Sequence, residues 1–286
     1  MTARASLVGI LRAGRLPPSL VMGGIVVALL LALALLGPWI APYPFDQFNV
    51  RARFSPPDAQ HWFGTDEFGR DVLSRVLVGA RYSLLIGFGA SALSLVLGVP
   101  LGLVAAYRRD VGGELIMRAV DVMISVPPIL LGLLILAVTP PDIWKTILAV
   151  GIVYVPIMTR ITRSVALGLL AEDFVQAARA RGESAFYILF GEILPNAWPP
   201  IIVETSLRVT FAILLGSALS FLGLGAQPPM SEWGLMIAQS RPFIEQAPWI
   251  GLAPGIVLCI LLVSVNLVGE GLREALDPRF AERGSA

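Results

Sequence analysis

The sequence predicts an all-α protein that crosses a membrane six times, and both its composition and its apolar runs indicate this class. Of the 286 residues, 56% are hydrophobic before the 28 glycines are counted, whereas a soluble domain reaches roughly 45–50% only with glycine included. Charged residues make up 14%, against roughly 25% in an average soluble domain. These proportions argue against a water-soluble enzyme and exclude a disordered, collagen-like or disulfide-stapled chain.

Six apolar runs are long enough to cross a bilayer, which takes about 20 residues. The first is longer than the roughly 7–15 apolar residues of a signal peptide, so we expect it to be retained. The third contains Pro127-Pro128, which predicts a kink. The predicted spans are residues 20–40, 83–107, 122–139, 143–164, 198–224 and 249–269.

The distribution of positive charge predicts the orientation. With a cytoplasmic N-terminus, the inside segments carry 13 arginines, whereas the outside segments carry 7 Lys and Arg residues. Both termini are therefore expected in the cytoplasm. The chain divides into a cytoplasmic segment (1–19), a first span (20–40), an extracytoplasmic loop (41–82), a five-helix core (83–270) and a cytoplasmic tail (271–286).

The rare residue types exclude several kinds of site. The chain has one Cys, one His (His61) and one Lys (Lys145), so disulfides, thiolate clusters and His–His metal sites cannot form within it. The Gly-Lys-Ser/Thr tripeptide of a phosphate-binding loop is absent. We therefore expect no cofactor or metal in this chain, and any nucleotide that drives it must be hydrolysed by another chain. The net charge of +1 gives no support for nucleic-acid binding.

The outer loop contains a pattern that predicts an amphipathic helix. Thr65 is suited to cap a helix that starts near Phe68, and apolar residues from Phe68 to Ala80 share one face, opposite Arg70, Arg75 and their polar neighbours. Such a helix suits the membrane surface. Capping of the bundle and docking of a partner are both compatible with it.

The inner segment, residues 165–196, predicts two short helices joined by a sharp turn. Acidic residues at positions 172 and 173 favour a helix start, and Gly182 fits a helix stop that needs a left-handed backbone. Ser184 can cap a second helix that runs to about Phe190, and Pro195 is expected to break it. This second helix is too short to bury its own aromatic side chains, which therefore need the bundle or a partner.

Four sequence blocks in order resemble inner-membrane permeases of ABC importers of the dipeptide and oligopeptide (DppC/OppC) type. One block is Gln-Ala-Ala, three residues, Gly, and Leu-Pro thirteen residues after the Gly, as in the EAA loop of these permeases. The others are HWFGTDEFGRDVLSR at 61–75, SFLGLGAQPP with EWG at 220–234, and NLVGEGLREALDPR at 266–279.

The resemblance implies the type I ABC importer permease fold in a bacterial cytoplasmic (inner) membrane. It implies a permease subunit, without its own ATPase site, that imports di- or oligopeptides and forms half of the translocation path. The implied partners are a second homologous permease, two ABC ATPase subunits that bind ATP and Mg, and an extracytoplasmic substrate-binding protein. Relatives with nearly the same blocks carry glutathione, nickel chelates or opines, so other cargoes stay open.

The same resemblance implies that the inner loop couples the permease to an ATPase subunit. By matching positions, the coupling residues are Gln176, Ala177, Ala178, Gly182, Glu183, Ser184, Ala185, Phe186 and Tyr187. The chain departs from the motif at Gln176, which replaces the usual Glu, and at Glu192, where relatives often have His or an apolar residue. Charge-specific contacts at these two positions are therefore not implied.

Two charges fall inside the fifth predicted span. Glu204 and Arg208 are four residues apart and can pair along one helix face. Because such charges are costly in a membrane, they should face the bundle interior or water. Either they line the translocation path or they form a buried structural pair. A self-sufficient secondary transporter would need an ion-coupling carboxylate, for which Glu204 is the candidate, whereas motifs of an intramembrane enzyme are absent.

Overall fold

A computed structural model describes residues 16–108, 110–138 and 140–276, and the described chain is built from helices. Five of them are long and apolar enough to cross a membrane, and a bent pair makes a sixth span if it is counted as one. The helices are α1 (Pro18–Ile40), α2 (Val72–Tyr107), α3 (Val111–Ser125), α4 (Pro128–Ala137), α5 (Ile143–Leu169), α6 (Asp173–Ala180), α7 (Ala185–Phe221), α8 (Trp233–Ser240) and α9 (Trp249–Leu276).

Helix α2 differs from the prediction at its beginning. The prediction of a separate amphipathic surface helix is wrong. Residues 63–71 form a loop, and the helix that starts at Val72 continues into the second span. Asp71 caps it by accepting a hydrogen bond from the Ser74 backbone N–H at 2.7 Å. The face expected to meet water is buried, since Ser74 and Arg75 are at most 1% exposed. Their partners within the protein explain this burial, as described below.

The third span is broken rather than kinked. Helices α3 and α4 meet at an angle of 93°, and Pro127 and Pro128 occupy the first positions of α4. Proline has no backbone N–H to donate, so it starts a helix more readily than it continues one. Helix α3 begins at Val111, eleven residues before the predicted span, because Asp110 accepts hydrogen bonds from the backbone N–H groups of Gly112 and Gly113.

Helix α7 also corrects the prediction, because Pro195 does not break it. The helix passes from Ala185–Tyr187 through a π-helical stretch, Ile188–Ile193, into Leu194–Phe221. Within this stretch the Leu194 N–H bonds the Leu189 carbonyl, five residues back. The wider π-turn places Pro195 in the first turn of the α-helical part, where a missing N–H costs little.

Helix α2 lies at the centre of the bundle, where it packs against α5, α7 and α1, and α9 packs against α1 and α7. It has 36 residues and is therefore roughly 54 Å long. The loop of residues 41–71, called the long loop below, lies at the start of α2. The segment 170–187, called the hairpin, lies near its end, where Arg179 stacks on the Tyr107 ring. The two segments thus occupy opposite ends of the bundle.

Part of the orientation prediction falls outside the described residues. These positions include the arginines at 4, 12, 15, 109, 279 and 283, on which the predicted cytoplasmic termini partly depend. Both termini therefore remain a prediction.

Candidate functional site

The hairpin has the two-helix form that its local sequence predicts. Glu172 occupies the N-cap of α6, and the helix ends after Ala180. The Glu183 N–H bonds the Ala178 carbonyl and the Gly182 N–H bonds the Arg179 carbonyl, which together satisfy the last carbonyls of the helix. Gly182 has a φ of +77°, a left-handed conformation that glycine adopts without steric cost.

The second helix begins directly after this turn. The Ser184 hydroxyl accepts a hydrogen bond from the Tyr187 N–H at 3.2 Å and so caps the start of α7. Only four residues, Arg181 to Ser184, lie between α6 and α7. The beginning of α7 is therefore closely linked to α6, and it is continuous with residues that cross the membrane.

The three motif residues on α6 face different surroundings. Ala178 is fully buried, whereas Gln176 and Ala177 are exposed. The Gln176 side chain donates a hydrogen bond to the Leu170 carbonyl at 3.1 Å and thereby ties α6 to the end of α5. An amide can donate this bond and an ionised carboxylate cannot. The departure from Glu at this position therefore has a local structural role.

The beginning of α7 is anchored on one face and free on the other. Ile188 and Leu189 are buried among residues of α2, α5 and α7, whereas Phe186 is 72% exposed and Tyr187 is 45% exposed. The Phe186 ring contacts the Phe190 ring with centroids 4.8 Å apart. An exposed aromatic pair on a rigid helix start is typical of a surface that binds another protein.

Arg181 links the turn to α7. Its guanidinium lies 3.5 Å from a Glu183 carboxylate oxygen and 3.3 Å from Glu192. Glu192, the second departure from the motif, thus forms an ion pair with Arg181 across the turn. Ala185 carries no polar side chain and is exposed beside Phe186.

In the membrane-spanning part of α7, Glu204 and Arg208 form the pair that their spacing predicts. Glu204 Oε1 lies 2.7 Å from Arg208 Nε, and the side chains are 15% and 12% exposed. The Arg208 guanidinium lies 5.5 Å from the centre of the Tyr154 ring and 4.9 Å from that of Phe211. The pair belongs to the middle of α7, far along the helix from the hairpin.

A buried ionic cluster in the long loop was missed in the sequence analysis. Asp66 is fully buried and accepts hydrogen bonds at 2.6 Å from both Arg70 Nε and Arg75 Nη1. Glu67 pairs with Arg70 at 3.2 Å. Arg75 also contacts Gln239, at 3.1 Å from its Nη2. The cluster therefore joins the long loop, the start of α2 and the end of α8.

Burial changes the ionisation of Glu67. Loss of water raises the pKa of its carboxyl group, and the negative charge of Asp66 raises it further, while Arg70 and Arg75 oppose the shift. Nearby, His61 Nδ1 lies 2.9 Å from Asp71. His61 thus has a carboxylate partner within the chain.

A second buried acid, Glu232, caps α8. Its carboxylate accepts hydrogen bonds from the backbone N–H groups of Gly234 at 2.9 Å and Leu235 at 2.8 Å. The hydroxyls of Ser83 and Ser217 reach it at 3.3 and 3.4 Å. Burial raises the pKa of Glu232, and the hydrogen bonds from Gly234, Leu235 and Ser83 counter the rise. The residue fastens α8 to α2 and α7.

The sequence contained a signal for the buried ionic cluster and one for Glu232. Five charged residues lie within the ten positions from Asp66 to Arg75, which is unusual in a chain with 14% charged residues. Glu232 directly precedes the buried Trp233, whose indole N–H donates to the Val76 carbonyl at 3.0 Å. Among the described residues, no group of three or more His, Cys, Asp or Glu side chains is placed to hold a metal ion.

Two family descriptions match most of the chain. Residues 98–282 match the binding-protein-dependent transport system inner membrane component, and residues 18–57 match the N-terminal transmembrane domain of oligopeptide transport permease C. The first match includes the hairpin and the Glu204–Arg208 pair, and the second covers α1 and the beginning of the long loop.

Relatives of known name are similar along nearly the whole length. The dipeptide transport system permease protein DppC of Alkalihalophilus pseudofirmus is 42% identical, with 91% of this chain and 86% of the relative covered. The di/tripeptide permease DppC of Pseudomonas aeruginosa is also 42% identical, over 91% and 88%. The glutathione permease GsiD of Pectobacterium atrosepticum is 36% identical, over 91% and 87%.

The fold itself is found in a solved transporter. A chain from inward-facing conformations of the MetNI methionine ABC transporter matches with a TM-score of 0.59, covering 71% of this chain and 96% of that one. At 17% sequence identity the similarity concerns the fold alone. The type I ABC importer permease fold predicted from the sequence is thereby confirmed.

Proposed function

The chain belongs to the family of inner membrane components of binding-protein-dependent transport systems, and from this premise we propose that it imports small peptides. It is the permease subunit of a bacterial ABC importer in the inner membrane, not the ATPase. Peptide cargo is supported by the names of relatives that are 42% identical over 91% of the chain.

The observation that carries the coupling role is the exposed start of α7. Phe186 and Tyr187 are exposed beside the Gly182 turn, while Ile188 and Leu189 fasten the same helix to the bundle. At these exposed residues a partner can bind a helix that continues through the membrane. ATP-driven movement of an ATPase subunit would then reach the spans as a rigid-body motion. Gln176, Ala177, Ala178, Gly182, Glu183, Ser184 and Ala185 would shape the docking surface.

The proposed assembly contains two ATPase subunits, a second homologous permease and an extracytoplasmic binding protein. The hairpin and both termini would lie in the cytoplasm, and the long loop would face the binding protein. ATP and Mg would be bound by the ATPase subunits alone. Glu204 and Arg208 would lie on the translocation path, because charges in a spanning helix favour water over lipid.

A mild-detergent pull-down of the tagged chain from its native membrane tests the assembly. We expect a second permease, ATPase subunits and a binding protein to be recovered together. Recovery of the chain with copies of itself alone would contradict the importer assembly and would favour a secondary transporter with Glu204 as its coupling carboxylate.

The binding protein then tests the cargo. Mass spectrometry of the ligand that co-purifies with it should identify a di- or oligopeptide. Glutathione is the second candidate, since a glutathione permease is 36% identical over 91% of the chain. A nickel chelate or an opine in the binding protein would contradict peptide cargo while leaving the importer assembly intact.

A further inference from the structure

The Glu204–Arg208 pair uses only one side of each charged group. The facing atoms, Glu204 Oε1 and Arg208 Nε, are buried at 2.7 Å from each other, without the alignment of a hydrogen bond. Because these atoms are buried, the 15% and 12% exposure of the two side chains lies on their other atoms. No hydrogen bond from the described residues engages Glu204 Oε2 or the two Nη atoms of Arg208.

Two aromatic rings hold the Arg208 guanidinium in place. Its carbon atom lies 5.5 Å from the centre of the Tyr154 ring and 4.9 Å from that of Phe211. Tyr154 is itself fixed, because its hydroxyl donates to the Phe211 carbonyl at 3.1 Å. Rings stacked on a guanidinium leave its edge free, and the edge with both Nη atoms is the part that binds a carboxylate through two hydrogen bonds.

The open atoms do not suit a lipid environment. Phe211, whose ring lies against the Arg208 guanidinium, is 45% exposed, so this side of the helix is not covered by the chain's own core. Lipid-facing charges are strongly disfavoured, whereas charges toward a water-filled cavity mark substrate pathways. The open carboxylate oxygen and the open guanidinium edge are therefore directed at water or at cargo.

We propose that Glu204 and Arg208 form a transit site for zwitterionic peptides, in which Arg208 binds the peptide carboxylate and Glu204 binds the peptide ammonium group. This inference rests on the proposed peptide import. The pair is neutral overall, as is a dipeptide of uncharged residues, so binding of the dipeptide adds no net charge to the site. An extended dipeptide spans about 7 Å, which allows its two ends to reach the outer atoms of the adjacent carboxylate and guanidinium.

The test measures charge selectivity of transport by the complete transporter, with all its subunits, reconstituted in liposomes. Uptake of dialanine, diglutamate and dilysine is compared for the wild type, Glu204→Gln and Arg208→Gln. Arg208→Gln leaves an uncompensated acid, so the ratio of diglutamate to dilysine uptake should fall about tenfold. Glu204→Gln leaves an uncompensated cation, so the same ratio should rise about tenfold. Peptide affinity of the binding protein is the same throughout and cancels.

The matched control is an exposed Glu–Arg ion pair with the same spacing, Glu114–Arg118 on α3. Its atoms lie 2.6 Å apart, and its side chains are 63% and 74% exposed. Glu114→Gln and Arg118→Gln should leave the ratio unchanged. ATP hydrolysis stimulated by the loaded binding protein shows in each variant that the complex is assembled.

A purely structural pair would lower the uptake of all three peptides equally in both variants, and that result would overturn the proposal. If the neutral variants fail to assemble, photolabelling of the wild type decides. In this experiment vanadate stops the ATPase subunits, and the transporter is labelled with a dipeptide that has a photoreactive diazirine side chain. The dipeptide should label residues 201–215, and labelling only at other residues would overturn the transit site. If the wild type takes up none of the peptides, the proposed cargo fails and this inference fails with it. Wild-type uptake with unchanged ratios contradicts the transit site only.

Discussion

The two ends of the bundle treat their charged and aromatic residues in opposite ways. At the end with the long loop, Asp66 of the loop and Arg75 of α2 are at most 1% exposed and are paired within the chain. In the hairpin, Phe186 is 72% exposed, and the ion pairs of Arg181 remain half in solvent. At the end with the long loop, the charged groups find their partners within the chain. At the end with the hairpin, aromatic and charged side chains form an exposed surface.

This difference indicates how a permease can transmit movement. The end with the long loop joins α2, α8 and α9 through hydrogen bonds, including the one that Trp249 donates to the Thr65 carbonyl at 3.1 Å. Helices joined by such contacts are expected to move as one rigid unit. The hairpin is held to the core by one face of α7 and by the Gln176 bond to Leu170, so an outside partner can act on it. We therefore expect damage to the first end to affect folding and damage to the second end to affect coupling.

The largest effect is expected for Asp66→Asn. The change leaves Arg70 and Arg75 buried with only Glu67 to balance them, and breaking a buried pair in this way costs about 3–5 kcal/mol. The amount of protein in the membrane and its Tm in detergent should both fall sharply. The control is Asp121→Asn, which removes the exposed partner of Arg160 and should cost about 0–1 kcal/mol. Equal stability of the two variants would contradict the contrast between the ends.

The second effect concerns binding rather than stability. Phe186→Ser removes an exposed aromatic side chain, so the free energy of unfolding should change by no more than about 0.5 kcal/mol. If the side chain inserts into an ATPase groove, its loss should weaken binding of that subunit by about 2 kcal/mol, or roughly thirtyfold. Titration of the purified ATPase subunit onto the permease in nanodiscs measures this.

Phe48→Ser is the matched control at the other end, because Phe48 is an exposed phenylalanine of the long loop, with 60% exposure. It should leave ATPase binding unchanged. Equal weakening by both variants would show that the effect is not specific to the hairpin.

The third effect depends on backbone geometry. Gly182 has a φ of +77°, and a residue with a side chain pays about 1–2 kcal/mol for that conformation. Gly182→Val should therefore distort the turn and reduce peptide uptake about tenfold, with membrane insertion intact. Gly168→Val is the control, since Gly168 is helical and an added Cβ has open space at both positions. Normal uptake by Gly182→Val would count against coupling through the turn.

The same contrast explains which features the sequence could predict. The Gly182 turn and the Ser184 cap follow from neighbouring residues alone, and the structure has them where the sequence indicates. The spans also follow from local composition, but α2 and α7 begin before the predicted spans and the third span is broken between α3 and α4. The Glu204–Arg208 pair also follows from local spacing. The burial of Arg75 could not be predicted in this way, because one of its partners, Gln239, is 164 positions away. When such distant partners are unknown, a helix with charged residues on one face and apolar residues on the other is interpreted as a surface helix. For residues 68–80 that interpretation was wrong.

The smallest effect, on pH dependence, separates two acids of the long loop. Burial raises the pKa of Glu67 above its usual 4.5, so the ionised carboxylate is disfavoured in the folded state. The contribution of this group to the stability of the fold is therefore full below pH 4.5 and is lost as pH rises through the raised pKa. Glu67→Gln should thus raise the Tm at pH 8 by about 1–3 °C, and the gain should shrink to nothing below pH 4.5.

Asp58 provides the comparison of opposite sign. A hydrogen bond from the His61 N–H lowers the pKa of Asp58 below its usual 3.8, so its stabilising contribution is present above pH 3.8 and is lost as pH falls through the lowered pKa. Asp58→Asn should therefore lower the Tm at pH 8, and its deficit should disappear on acidification. Tm measured in detergent from pH 2.5 to 8 tests both variants. If the two differences had the same sign at pH 8, burial of Glu67 would not be the cause of its shift, because burial and hydrogen bonding act on a carboxylate in opposite directions.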